Sequence, residues 1–198
     1  MPDSTLVISE LRIEDLRADH TGAVIEHIAQ IAQAAFREPP WQDDHQLARL
    51  HFGIAVDLMR RNALAFLARD ADSGQVAGYS AGYEVVASSD DPRDIALAQL
   101  CGTDDLGHLL ADGGRVFYWD TLCVAPAYRR RHAGQELARA ALARLPMAGF
   151  SHCLVRTDLA AIPMRGLLAK LGFEELPVRD ARHTTRTYWA LPLRAANT

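Results

Sequence analysis

The segment from Arg115 to Val124 limits the fold more than any other. Its side chains alternate as in a strand, with Val116, Tyr118, Asp120, Leu122 and Val124 on one face and Phe117, Trp119, Thr121 and Cys123 on the other. Pro126 ends it. After a short turn rich in arginine, the stretch from Gly134 to Leu145 places Leu137, Ala138, Ala141, Leu142 and Leu145 at helical spacing. A strand, a tight basic turn and a helix N-terminus therefore follow one another directly.

The rest of the chain supplies partners for this unit. Leu6 to Ile13 reads as a strand. Val24, Ile28, Ile31 and Ala35 form a helical stripe that Glu38-Pro39-Pro40 stops, because two prolines cannot continue a helix. Leu47, Leu50, Ile54 and Leu58 mark a second helix. Leu64 to Ala68 and Val76 to Val86, joined by Asp72-Ser73-Gly74, predict a β-hairpin. Ser88 to Gly114 reads as an insertion of the kind that forms lids or surface excursions. Phe150 to Val155 is a short strand, a helix follows from about Pro163 to Leu171, and strands begin at Gly172-Phe173 and at Thr184. Mixed order, with β-α-β only in the second half, predicts an α/β fold with a mixed sheet. At 198 residues with 49% hydrophobic and 23% charged residues, the expectation is a single domain, 1–198.

The basic turn carries the chemistry. The first turn of a helix leaves backbone N–H groups without intrahelical partners and bears partial positive charge. Arg129, Arg130 and Arg131 lie beside it, and Gly134 has no Cβ to hold a ligand away. Together these residues read either as a pyrophosphate cradle or as a solvated charged loop. The stretch from Leu122 to Leu137 resembles the acetyl-CoA motif of the GNAT superfamily of N-acetyltransferases. Leu122, Val124, Pro126, Tyr128, Arg129 and Gly134 match the family pattern, whereas His132 stands where the family has its first glycine. Lys170-Leu171-Gly172-Phe173 resembles the family's late helix-to-strand signature, and Glu38-Pro39-Pro40-Trp41 falls where many members have a substrate-facing loop.

The resemblance implies a GNAT fold, a mixed central β-sheet flanked by helices, with acetyl-CoA as co-substrate and an amine of a small molecule or peptide as acceptor. It implies pantetheine contacts from the backbone of Leu122, Cys123 and Val124. Pyrophosphate contacts carry over to Arg129, Arg130, Arg131, His132, Ala133, Gly134 and Gln135. Many relatives form dimers, so a homodimer is compatible with it.

Acetyl transfer to an amine needs a group that takes a proton from the ammonium and one that protonates the departing thiolate. Asp120, in an apolar and aromatic strand, is the leading base, on the expectation that partial desolvation raises its pKa. Glu84 is second. Glu38 serves better as an ammonium anchor, with Trp41 either core or a substrate wall. The tyrosine that many family members place four residues before the glycine of Gly-Phe corresponds to Leu168, and the asparagine seven residues earlier to Ala161. Tyr188, Tyr118 and Cys153 are the remaining donors, or water protonates the thiolate. His152 and Cys153 read as packing residues, not a nucleophilic pair. The alternative to catalysis is a non-catalytic acyl-CoA-binding or sensor domain.

A net charge of -4 gives no reason to expect nucleic acid or an anionic membrane as partner. Cys101, Cys123 and Cys153 show no metal spacing and no disulfide framework, so no metal is expected. The start MPDSTLVISE lacks a signal-peptide pattern, and no apolar run approaches membrane-spanning length, so the expected compartment is the cytoplasm.

Overall fold

The structure, a computed structural model, describes residues 5–18, 22–85, 109, 114–180 and 183–193. Seven strands form one sheet in the order β1-β2-β3-β4-β5-β7-β6. They are β1 (Leu6–Glu10), β2 (Leu64–Asp70), β3 (Val76–Glu84), β4 (Val116–Val124), β5 (His152–Asp158), β6 (Glu174–Arg179) and β7 (Arg186–Pro192). The helices are α1 (Ile13–Ala18), α2 (Ala23–Arg37), α3 (Leu47–Leu58), α4 (Ala133–Met147) and α5 (Ile162–Lys170). The sheet is mixed: β1–β2, β2–β3, β5–β7 and β6–β7 pair antiparallel, whereas β4–β5 is parallel. This is the mixed α/β architecture expected from the sequence.

One difference stands out. The first strand stops at Glu10, and α1 occupies the stretch beyond it, where Asp15 Oδ2 accepts from Arg12 N–H at 2.9 Å and starts the turn. The expected insertion Ser88–Gly114 lies outside the described residues except for Leu109 and Gly114, as does Cys101. Among the described residues, no helix is long and apolar enough to cross a membrane.

The chain divides into two compact units, Met1–Gly82 with Thr121–Ala141 and Tyr83–Asp120 with Leu142–Thr198, whose boundaries fall inside β3, β4 and α4. In the first unit, the hairpin turn is closed by Asp70, whose Oδ1 accepts from Ser73 N–H at 2.9 Å and Asp72 N–H at 3.1 Å. Ile28, Ile31 and Leu58 of α2 and α3 pack with Leu67, Tyr79 and Cys123. Leu137 and Ala141 of α4 pack with Phe66, Ala77, Leu122 and Val124. Cys123 thus belongs to one apolar cluster and its strand neighbours to another, as a period of two requires.

The second unit is held by aromatic pairs. Phe117 meets Phe150 at 5.2 Å between centroids, Tyr83 meets Tyr118 at 5.7 Å, and Trp119 meets Phe173 at 6.2 Å. Cys153 and Leu154 of β5 and Leu168 of α5 are fully buried.

Candidate functional site

In the first unit, β4 leads through a single 3-10 turn, Pro126–Tyr128, into the basic residues and then α4. Arg130 and His132 both take left-handed backbone conformations, with φ of 59° and 63°. Such angles favour glycine, because a Cβ crowds the following carbonyl at a cost of about 1–2 kcal/mol. His132 therefore holds a backbone conformation that suits glycine, and its side-chain Nδ1 lies 3.4 Å from Gln135 Oε1. The first bond of α4 runs from Glu136 N–H to His132 C=O at 2.9 Å. The N–H groups of Ala133, Gly134 and Gln135 precede that ladder. A Cβ on Gly134 would meet only Val124 Cγ2, at 3.6 Å, so protein packing does not demand a glycine there.

Gly78 is a different case, and sequence reasoning passed over it. A Cβ there would stand 2.9 Å from Cys123 O and 3.0 Å from Leu137 Cδ1. Its hydrogen side chain lets β3 lie directly against the cradle strand. The signal was a lone glycine inside a strand pattern, which marks close backbone approach.

Arg129 is half-buried and already engaged. Its Nε donates to Val124 C=O at 3.2 Å, and its Nη1 donates to Glu38. The expected pyrophosphate residue and the expected ammonium anchor are therefore partners of each other. Arg130 is exposed and Arg131 partly so. Trp41 is half-buried with its ring edge-on to Phe36 at 6.1 Å, so it lines its loop against α2. Burial pushes the Cys123 thiol up to about 12, while a hydrogen bond to the Tyr79 backbone and the Arg129 charge pull the other way. Cys123 can offer the site only its backbone.

The second unit holds the acid and base candidates. Asp120 is exposed, in contrast to the buried run Val116–Trp119 that precedes it. The parallel ladder to β5 ends at Trp119↔Val155, one residue before Asp120. Expected desolvation is therefore not supplied. Glu84 is buried, but both its oxygens accept from Arg115, Oε1 from Nε at 2.8 Å and Oε2 from Nη2 at 3.2 Å. Both oxygens of Glu84 are thus engaged by one guanidinium, a pairing that disfavours it as the proton acceptor.

Tyr188 is buried, and its hydroxyl donates to Asp180 Oδ2 at 2.9 Å. The same oxygen accepts from Arg156 Nη1 at 2.6 Å, and Oδ1 accepts from His183 N–H at 2.8 Å. Burial, and then the bond to Asp180, push the Tyr188 phenol up to about 12. Burial and the charge of Asp120 likewise raise Tyr118. Burial raises Cys153 too. Transfer from a phenol near 12 to a thiolate of pKa about 8.5 is uphill by roughly 5 kcal/mol. None of the three expected donors is poised, and Leu168 is buried apolar packing. Among the described residues, no group of three or more His, Cys, Asp or Glu could hold a metal.

The sequence model of the acetyltransferase (GNAT) family matches residues 25–173, which span α2 to the end of the α5 segment and include the whole cradle. The chain belongs to the acetyltransferase (GNAT) family. The acyltransferase class expected from the sequence stands with that membership. No curated protein matches the chain by sequence. Solved structures share the fold. A mosquito arylalkylamine N-acetyltransferase like 5b superposes with a TM-score of 0.65 at 16% identity, covering 96% of this chain and 100% of that one. A GNAT family acetyltransferase from Brucella melitensis, solved in complex with acetyl-CoA, gives 0.56 at 19% identity, covering 96% and 90%. The ribosomal-protein-S18-alanine N-acetyltransferase from Escherichia coli gives 0.58 at 18%, covering 98% and 97%. At identities of 16–19% the likeness is one of fold and names no substrate.

Proposed function

We propose that the whole chain, 1–198, works as one acetyltransferase domain that moves an acetyl group from acetyl-CoA to a primary amine of a small molecule or peptide by direct transfer. The single observation that carries this reading is the strand, left-handed turn and helix start from Leu122 to Gln135. The donor set suits a pyrophosphate: N–H groups of Ala133, Gly134 and Gln135 precede the α4 ladder, and Arg130, Arg131 and His132 add side-chain donors. The backbone of Leu122, Cys123 and Val124 would take the pantetheine by adding to a strand.

Acetyl-CoA supplies an activated acyl carbon and a thiolate leaving group. Binding both reactants removes most of the entropic barrier to their reaction. The amine nitrogen forms the new C–N bond as the C–S bond breaks. Asp120, two residues before Leu122 in β4 and open to water, attracts the acceptor ammonium and passes its proton to solvent. Water protonates the thiolate, since a pKa of about 8.5 needs no strong acid. A cytoplasmic, reducing compartment suits Cys123 and Cys153, which are free thiols.

The absence of a poised donor at Leu168, Tyr118, Tyr188 and Cys153 favours one second reading, an acyl-CoA sensor that binds without turnover. Thiol release monitored against a panel of amines separates the two. Turnover with any amine supports the transferase, whereas calorimetric CoA binding without turnover across the panel supports the sensor.

A further inference from the structure

We infer that Glu38 competes with the cofactor's pyrophosphate for Arg129, so that the loop after α2 sets the affinity for CoA and Glu38 is released when CoA binds. The inference rests on the acetyl-CoA reading above. Arg129 sits at the head of the basic turn, and its Nε is fixed on Val124 C=O at 3.2 Å. That bond orients the guanidinium plane and leaves the terminal nitrogens to choose a partner. Nη1 chooses Glu38, which is 91 residues away in sequence.

The pairing is specific. The adjacent cation, Arg37, is occupied by Asp44 through Nε at 3.2 Å and Nη2 at 3.0 Å, so Glu38 is left to Arg129. The Glu38 backbone is anchored: its carbonyl accepts from Trp41 N–H and Gln42 N–H, both at 3.2 Å. Asp43 N–H closes the loop onto Phe36 C=O at 2.9 Å, and Trp41 packs on the Phe36 ring. Exchange therefore needs only a side-chain rotation at Glu38, with the loop backbone in place. The pair is weak enough to exchange, with side chains 35% and 49% exposed. A pyrophosphate offers more charge and more acceptor oxygens than one carboxylate, so it wins. Glu38 then becomes an uncompensated carboxylate on the loop, available to an ammonium.

Isothermal titration with CoA tests this on the wild-type chain, Glu38→Gln, Arg129→Gln and the double variant. Glu38→Gln should bind CoA about two- to fivefold more tightly than wild type, the range set by a half-exposed ion pair. Arg129→Gln should bind more weakly, and adding Glu38→Gln to it should change nothing further. Equal or weaker binding by Glu38→Gln overturns the inference and leaves the acetyl-CoA reading intact. So does an equal gain in the Arg129→Gln background, since that would reflect the general field of one carboxylate and not competition for a partner. Lack of CoA binding by the wild-type chain at millimolar concentration removes the acetyl-CoA reading and this inference together.

Discussion

Alanine at Gly78 and at Gly134 should move stability in opposite directions. At Gly78 the new methyl would lie 2.9 Å from Cys123 O, 3.0 Å from Leu137 Cδ1 and 3.4 Å from Val124 Cγ2. The first is backbone inside a sheet, and Leu137 is fully buried, so neither yields cheaply. Overpacking of this kind costs about 1–3 kcal/mol. The reduced freedom of the unfolded chain offsets about 0.4–1 kcal/mol of that. A net loss of about 1–2 kcal/mol lowers Tm by roughly 2–8 °C in a chain of this size. At Gly134 the methyl meets only Val124 Cγ2 at 3.6 Å, an ordinary contact in the first turn of α4. Alanine should stabilise there by about 0.5–1 kcal/mol. Thermal unfolding followed by circular dichroism reads both values. CoA titration should show weakened binding in both variants, by about tenfold for Gly134→Ala, where the methyl intrudes on the approach of phosphate to the backbone. A Gly78→Ala protein as stable as wild type would refute the packing argument. Unchanged CoA affinity in Gly134→Ala would show that the cradle does not work through that backbone.

Asp120→Asn should cut turnover by about 10²-fold or more and leave CoA affinity within about twofold, measured by thiol release and calorimetry on the same samples; full activity removes Asp120 from the reaction. Cys123 and Cys153 should resist an alkylating reagent at pH 8 in the native protein and react fully after denaturation, because burial pushes both thiols up and withholds the thiolate; peptide mapping of native modification at either site would contradict their burial. Tyr188 has a folded pKa of about 12 against an ordinary value near 10, so the folded state holds its proton more tightly. Its contribution is complete below pH 10 and is lost as pH rises toward 12. Tyr188→Phe should flatten the alkaline fall in stability over that window, and urea unfolding at pH 9 and 11.5 checks it.

Read along the chain, the strand-turn-helix from Arg115 to Leu145 was legible because the periods of a strand and a helix are set by residues a few positions apart. A period of two assigned Cys123 to one face of β4 and Leu122 with Val124 to the other, and their separate apolar clusters follow that division. Residue identity at 132 left the turn's shape open, since histidine disfavours the left-handed conformation it adopts. The match of its neighbours to a family motif was the better guide there.

Charge states and exposure could not be read in this way, because they depend on partners that sequence does not place. Glu84 meets Arg115 across 31 residues, and Glu38 meets Arg129 across 91. Nothing in the local pattern around either acid reveals such an arginine. Asp120 shares its strand face with buried neighbours, yet the β4–β5 ladder stops one residue before it and it opens to water. Local periodicity thus determined the elements and their faces. Tertiary pairing alone decided which carboxylates were neutralised, which tyrosine was locked to an acid, and which glycine the sheet could not do without. The reason is range: backbone geometry answers to residues a few positions away, whereas the electrostatics of a side chain answer to whatever the fold brings beside it.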